Sequence, residues 1–126
     1  MSTLEDAERI ARSLPGTCGE YGFAVPKGSK LKGFAWTWKE RIHPKQPRVP
    51  NLEVLAVRTA SVEERDLLIA SDPEKFFTEP HYNGFPAVLV RLKNIDPDEL
   101  AELLTDAWRL FAPRAAGKSG VTLTDG

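Results

Sequence analysis

Three prolines and one glycine within the segment from Asp72 to Leu92, DPEKFFTEPHYNGFPAVLVRL, leave it few ways to fold. Asp72-Pro73 is a helix-start signal, an N-cap acceptor followed by a residue whose fixed φ and missing N–H suit a first turn. A one-turn helix is expected there, presenting Phe76 and Phe77 before Pro80 stops it, because the residue ahead of a proline leaves the α region. His81-Tyr82-Asn83-Gly84 reads as a polar and aromatic turn. After Pro86, the run Ala87 to Leu92 reads as a mostly buried strand. Helix tip, turn and core strand form one unit with almost no slack.

The rest of the chain is arranged around that unit. Ser2-Thr3-Leu4-Glu5 reads as a capping box, and Leu4, Ala7, Ile10, Ala11 and Leu14 follow at helical spacing until Pro15-Gly16. Cys18 to Val25 alternates as a strand, Pro26 to Lys30 is a turn, and Gly33 to Trp38 is a second strand with Phe34, Trp36 and Trp38 on one parity. Three prolines between His43 and Pro50 exclude a helix or a central strand. Leu52 to Val57 is a third strand. Ser61-Val62-Glu63-Glu64 opens a short helix expected to bury Val62, Leu67 or Leu68, and Ile69. The clearest helix starts at Asp96-Pro97 and runs to Pro113, with Leu100, Leu103, Leu104, Ala107, Trp108 and Phe111 forming an apolar stripe.

This order predicts an α+β fold: a single two-layer domain, helices on one face of an antiparallel sheet, over residues 1–113, with 114–126 a flexible C-terminal tail. A length of 126 residues suits one domain, and no linker or repeat divides it. The lone Cys18 excludes an internal disulfide, and no apolar run approaches a membrane span. A charged, interrupted N-terminus is unlike a signal peptide, so a cytoplasmic location is expected, with no membrane partner, as a monomer or weak homodimer.

Four segments in fixed order carry a family resemblance: Ser13-Leu14-Pro15-Gly16 after the first helix, Gly33-Phe34-Ala35-Trp36 in a strand, Asp72-Pro73 through Pro80-His81-Tyr82-Asn83-Gly84, and Asp106-Ala107-Trp108-Arg109-Leu110. Together they resemble the MmcQ/YjbR family over about residues 3 to 113. The resemblance implies a frataxin-like domain with a curved antiparallel sheet, described as a double-wing DNA-binding fold. Lys39 to Pro50 is longer and richer in proline than the family pattern.

Charge gives the main functional lead. Between Lys27 and Arg48 there are seven basic residues and one acid, Glu40, although the whole chain carries −1. Lys30, Lys32, Trp38, Lys39, Arg41, Lys45 and Arg48 are candidate nucleic-acid contacts: cations for phosphates, and Trp38 to stack on an unpaired base. The competing reading is that sheet edges collect lysine to prevent edge-to-edge pairing. The implied partner is DNA, held weakly and in a salt-dependent way. His81, Tyr82 and Asn83 are the candidate ligand-binding residues of an alternative, non-enzymatic protein- or small-ligand-binding domain. Against this stands a histidine that merely ties its corner to the backbone.

Two histidines (His43 and His81) and one cysteine fall short of a recognisable metal set, so no metal or cofactor is expected. No GxGxxG or Walker pattern occurs, and Cys18 with His81 lacks an orienting third group. The chain is not expected to be an enzyme.

Overall fold

The computed structural model describes residues 1–19, 22–41 and 45–112, with the backbone of 121–122 and 124–125. Apart from that backbone, the expected tail lies outside the described residues, as does His43. The elements are α1 (Leu4–Ser13), β1 (Gly22–Lys27), β2 (Lys30–Glu40), β3 (Val49–Arg58), α2 (Val62–Ser71), β4 (Phe76–Phe77), β5 (Ala87–Arg91) and α3 (Pro97–Arg109). The sheet is antiparallel with strand order β1-β2-β3-β5-β4. The expected α+β architecture is present, with one strand more than the sequence reading gave.

That strand is β4. Asp72 does not start a helix; it is the C-cap of α2, and its carboxylate accepts from Glu74 N while its carbonyl accepts from Lys75 N and Phe76 N. The chain turns there, and Phe76 and Phe77 pair with Val90 and Leu89. Phe76 therefore enters one apolar layer and Phe77 the other. The caps differ in detail too. The α1 box joins Thr3 with Asp6, one residue later than expected, while Ser2 is buried and its hydroxyl donates to Ile95 O. Ser61 caps α2 as expected, accepting from Glu64 N. Asp96 stands at the N-cap of α3 without a side-chain cap bond.

The helix-side core joins Ala7, Ile10 and Ala11 of α1 and Leu100, Leu104, Ala107 and Trp108 of α3 to Phe34, Leu55, Val57, Val88 and Val90 of the sheet. The α3 stripe is as its spacing dictated, and Trp108 Nε1 donates to Pro15 O at 2.9 Å, tying α3 to the end of α1. The expectation for α2 is corrected. Leu67 is 70% exposed, Leu68 and Ile69 only lean on the core, and the buried residue of that helix is Arg65.

A second correction shapes the site. Phe34, Trp36 and Trp38 do not share a face. Pairing of β1 with β2 shifts between Phe23↔Ala35 and Ala24↔Gly33, so Phe34 is an extra residue in β2. Such a bulge breaks the period-two alternation. Phe34 goes to the helix-side core, and Trp36 and Trp38 go to a second cluster with Val54, Ala56, Leu89, Phe77 and Tyr82. A larger irregularity separates Thr37↔Leu55 from Trp38↔Asn51, leaving Leu52, Glu53 and Val54 as extra residues in β3. Beyond it, Val49 and Pro50 extend β3 alongside Lys39 and Glu40. Pro50 is tolerated in this strand because β5 pairs with β3 only from Val54 onward.

Leu104 is fully buried whereas Leu67 faces solvent. Leu104→Ala is expected to cost about 2–5 kcal/mol in urea unfolding, and Leu67→Ala no more than about 0.5 kcal/mol. Equal losses would contradict the assignment of α3, not α2, as the core helix.

Candidate functional site

On the face of the sheet away from α1 and α3, a cleft of about 870 Å³ opens between the β2–β3 arm and the turn that follows β4. Its floor is Trp36 and Thr37, with Gly22 beside them; Lys39, Arg48, Pro50 and Leu52 form the arm wall, and His81 and Tyr82 the turn wall.

The turn wall is held by buried polar contacts. Pro80–Tyr82 is a single 3₁₀ turn. Asn83 (φ −56°, ψ 127°) and Gly84 (φ 73°) then make a type II turn closed by Phe85 N donating to Tyr82 O at 3.0 Å. The second central position of that turn needs positive φ, which is why glycine stands there. Arg65, 6% exposed, reaches from α2 to donate to Tyr82 O at 2.9 Å and Phe85 O at 3.2 Å, with Asp66 balancing its charge at 3.0 Å. Each of these carbonyls also accepts a backbone N–H, Tyr82 O from Phe85 and Phe85 O from Ala87, so the guanidinium adds a charged second donor at both ends of the turn. Arg65, and not the ring of His81, ties this corner to the backbone. The His81 ring is exposed and lies against Tyr82, centroids 5.6 Å apart.

Tyr82, 8% exposed, connects turn and floor: its hydroxyl accepts from Trp36 Nε1 at 3.0 Å. Burial is the main cause pushing its pKa up, with the Glu79 charge adding to it, so the phenol stays protonated well into alkaline pH. At the arm, Glu79 accepts from Trp38 Nε1 at 2.5 Å and from Arg48 Nη1 at 3.3 Å, and Arg48 also donates to Lys39 O at 2.7 Å. Trp38 is thus committed, packed edge-on against Phe77 at 5.5 Å, and is no exposed stacking platform. Trp36, half-buried and bonded to Tyr82, is the tryptophan that borders the cleft.

The candidate residues do not gather in one place. Lys39, Arg48, His81 and Tyr82 meet at the cleft. Trp38 lies behind it, and Asn83 is exposed on the turn but is not among the lining residues. Arg41, donating to Gln46 O, and Lys45 stay in the outer part of the arm. Lys30 and Lys32 sit near the β1–β2 turn, at the far end of an eleven-residue strand. At about 3.3 Å per residue that is roughly 30 Å away, so the basic run is not one contiguous patch. Cys18 is exposed and bridges Ala24 on the outer edge of β1, a different setting from the apolar strand position expected of it. Among the described residues no group of His, Cys, Asp and Glu is arranged to hold a metal ion, and no helix is long and apolar enough to cross a membrane. Arg65 is the residue that sequence reasoning missed, and nothing local marks it, since its acceptors lie 17 and 20 residues away.

The Glu79 contacts carry a pH signature. Burial works to raise the Glu79 pKa, but hydrogen bonds from Trp38 and Arg48, with the positive charges of Arg48 and His81, outweigh it and hold the carboxyl below its usual range. A carboxyl lowered on folding contributes stability above its unfolded pKa, near 4.3, and loses it as pH falls through the folded value. Wild type is therefore expected to lose more stability than Glu79→Gln between pH 6 and pH 3 in urea titrations. Parallel curves would contradict the contact.

Comparison with known proteins agrees with this architecture. The family model described as YjbR matches residues 12–110. Uncharacterized proteins of Mycobacterium bovis and Mycobacterium tuberculosis are each 35% identical over 120 residues, covering 90% of this chain and 92% of their own. The crystal structure of the Deinococcus radiodurans protein DR2400, a DUF419 domain, superposes with a TM-score of 0.65 at 21% identity, over 91% of this chain and 82% of that one. At that identity the likeness concerns the fold. The matched span and these relatives show that the chain belongs to the YjbR family.

Proposed function

We propose that this YjbR-family chain is a non-catalytic binding domain that seats a small ligand in the cleft between the β2–β3 arm and the 79–85 turn. The observation carrying this is a cleft of about 870 Å³ whose two walls are held in place before any ligand arrives. Arg65 fixes the turn, and the contacts of Glu79 with Trp38 and Arg48 fix the arm. Pre-formed concave sites of this size, apolar with a few convergent polar groups, are where small molecules bind. The domain is taken to act in the cytoplasm as a monomer or weak homodimer.

A ligand that binds only the folded state raises the melting temperature by mass action, about 2.7 kcal/mol at a hundredfold excess over Kd. For a domain of this length that is on the order of 10 °C. A metabolite panel is expected to contain such a compound, and Leu52→Trp, which fills the cleft from a position 54% exposed, is expected to cancel the shift. A shift that survives Leu52→Trp, or a panel without any, would count against the cleft.

A second reading, DNA binding, rests on the β1–β2 turn. Leu31, 63% exposed, stands there between Lys30 and Lys32, with Lys27 opposite Lys30, and none of the three lysines makes an ion pair with a described residue. The helices carry the opposite sign, ten acids against four arginines. An apolar side chain flanked by cations at a ribbon tip suits a minor groove. If Lys27, Lys30 and Lys32 each neutralise one phosphate, log affinity falls with log salt at a slope near −2.7. Lys30→Glu with Lys32→Glu should abolish that binding; retention by the double variant would remove this reading.

A further inference from the structure

We infer that the ligand of the cleft is a small molecule with a flat aromatic body and an oxyanion, recognised by Tyr82 as hydrogen-bond donor and by Lys39 and Arg48 as cations, with Glu79 acting as an internal competitor for Arg48. This rests on the cleft reading above and adds the chemical class.

Four observations support it. First, among the described residues lining the cleft there is no carboxylate, whereas Lys39, Arg48 and His81 are all there. In a chain carrying −1 overall, that is a local bias toward anions. Second, the nearby acids are engaged: Glu40 accepts from Asn51 Nδ2 at 3.1 Å, and Glu79 is held by Trp38 and Arg48. Third, Tyr82 is nine-tenths buried, and its oxygen already accepts from Trp36. Its own O–H has no acceptor among the described residues, so its donor capacity is left for a bound oxygen. Fourth, the rings of Trp36, His81 and Tyr82 all border the space, and flat π-faces are what an aromatic body packs against.

Glu79 gives the site its threshold. Its carboxylate takes the Arg48 Nη1 hydrogen bond that an incoming oxyanion would otherwise use. Arg48 lies between two acceptors, Lys39 O at 2.7 Å and Glu79 at 3.3 Å, and the longer bond is the one a ligand displaces. Phosphate and carboxylate both meet this description, a nucleotide and an aromatic acid being the two sources; probes of each kind tell them apart.

The experiment is isothermal titration of the full chain with adenosine 5′-monophosphate against adenosine, and with indole-3-propionate against indole. At least one anion is expected to bind about tenfold or more tightly than its neutral counterpart; which one identifies the source. Lys39→Met and Tyr82→Phe should each weaken the anion about tenfold or more, the range of one hydrogen bond to a charged group. Because Tyr82→Phe leaves the Trp36 indole unpaired, Tyr82→Phe with Trp36→Phe is also compared with Trp36→Phe alone, which isolates the Tyr82 donor. Glu79→Gln should tighten the anion several-fold, which a merely structural role for Glu79 would not do. If neutral and anionic probes bind equally, or if all four fail to bind at millimolar concentration, the class is overturned. If an anion binds as predicted but Leu52→Trp leaves its affinity unchanged, the cleft reading itself is what fails.

Discussion

The single extra residue in β2 at Phe34 is the constraint on which the arrangement of this protein depends. A strand keeps its side chains in strict alternation, so a strand carrying Phe34, Trp36 and Trp38 would place all three on one side. The bulge sends the phenylalanine into the layer shared with α1 and α3 and turns both tryptophans to the opposite side. The sheet thus acquires two apolar faces from a sequence that provides helices for only one. A short turn must cover the other, and the cleft is what such partial covering leaves open.

That covering depends on polar chemistry as much as on apolar area. A turn of a few residues buries little surface, and backbone bonds within it do not tie it to the helix layer. Arg65 answers this by reaching from α2 to both ends of the type II turn. Tyr82 then lies over Leu89 and Ala56, with its hydroxyl on Trp36. At the arm, Glu79 and Arg48 do for the β2–β3 extension what Arg65 does for the turn. The three helices carry ten acids against four arginines, whereas Lys39, Arg48 and His81 border the cleft on the opposite face.

How much of this the sequence disclosed follows from the range of the forces involved. The α3 helix was legible because a 3.6-residue apolar period runs unbroken between Asp96-Pro97 and Pro113, and local periodicity sets which face packs. The Asn83-Gly84 turn was legible for the same reason, a local φ demand. Phe76-Phe77 was not: two residues show no period, and their extended form comes from pairing with β5, far along the chain. Ranking residues by hydropathy misread α2, where a buried arginine does the anchoring and Leu67 is left outside. The basic run was visible as a count, but its distribution over both ends of β2 depended on strand length. His81 and Tyr82 were singled out as a turn, and their meeting with Lys39 and Arg48 came from the bulged register, which no short motif announces.

Hydrogen exchange of the three tryptophan indole protons tests the account most directly. Trp36 and Trp38 donate to Tyr82 and Glu79 on the cleft side, and Trp108 donates to Pro15 on the helix side. Replacing Arg65 with methionine removes the turn's anchor without touching any of the three bonds. If the turn is what closes the second face, the Trp36 and Trp38 protons exchange much faster in that variant while the Trp108 proton keeps its protection. Loss of protection at all three together, or at none, would contradict the two-faced sheet closed by Arg65.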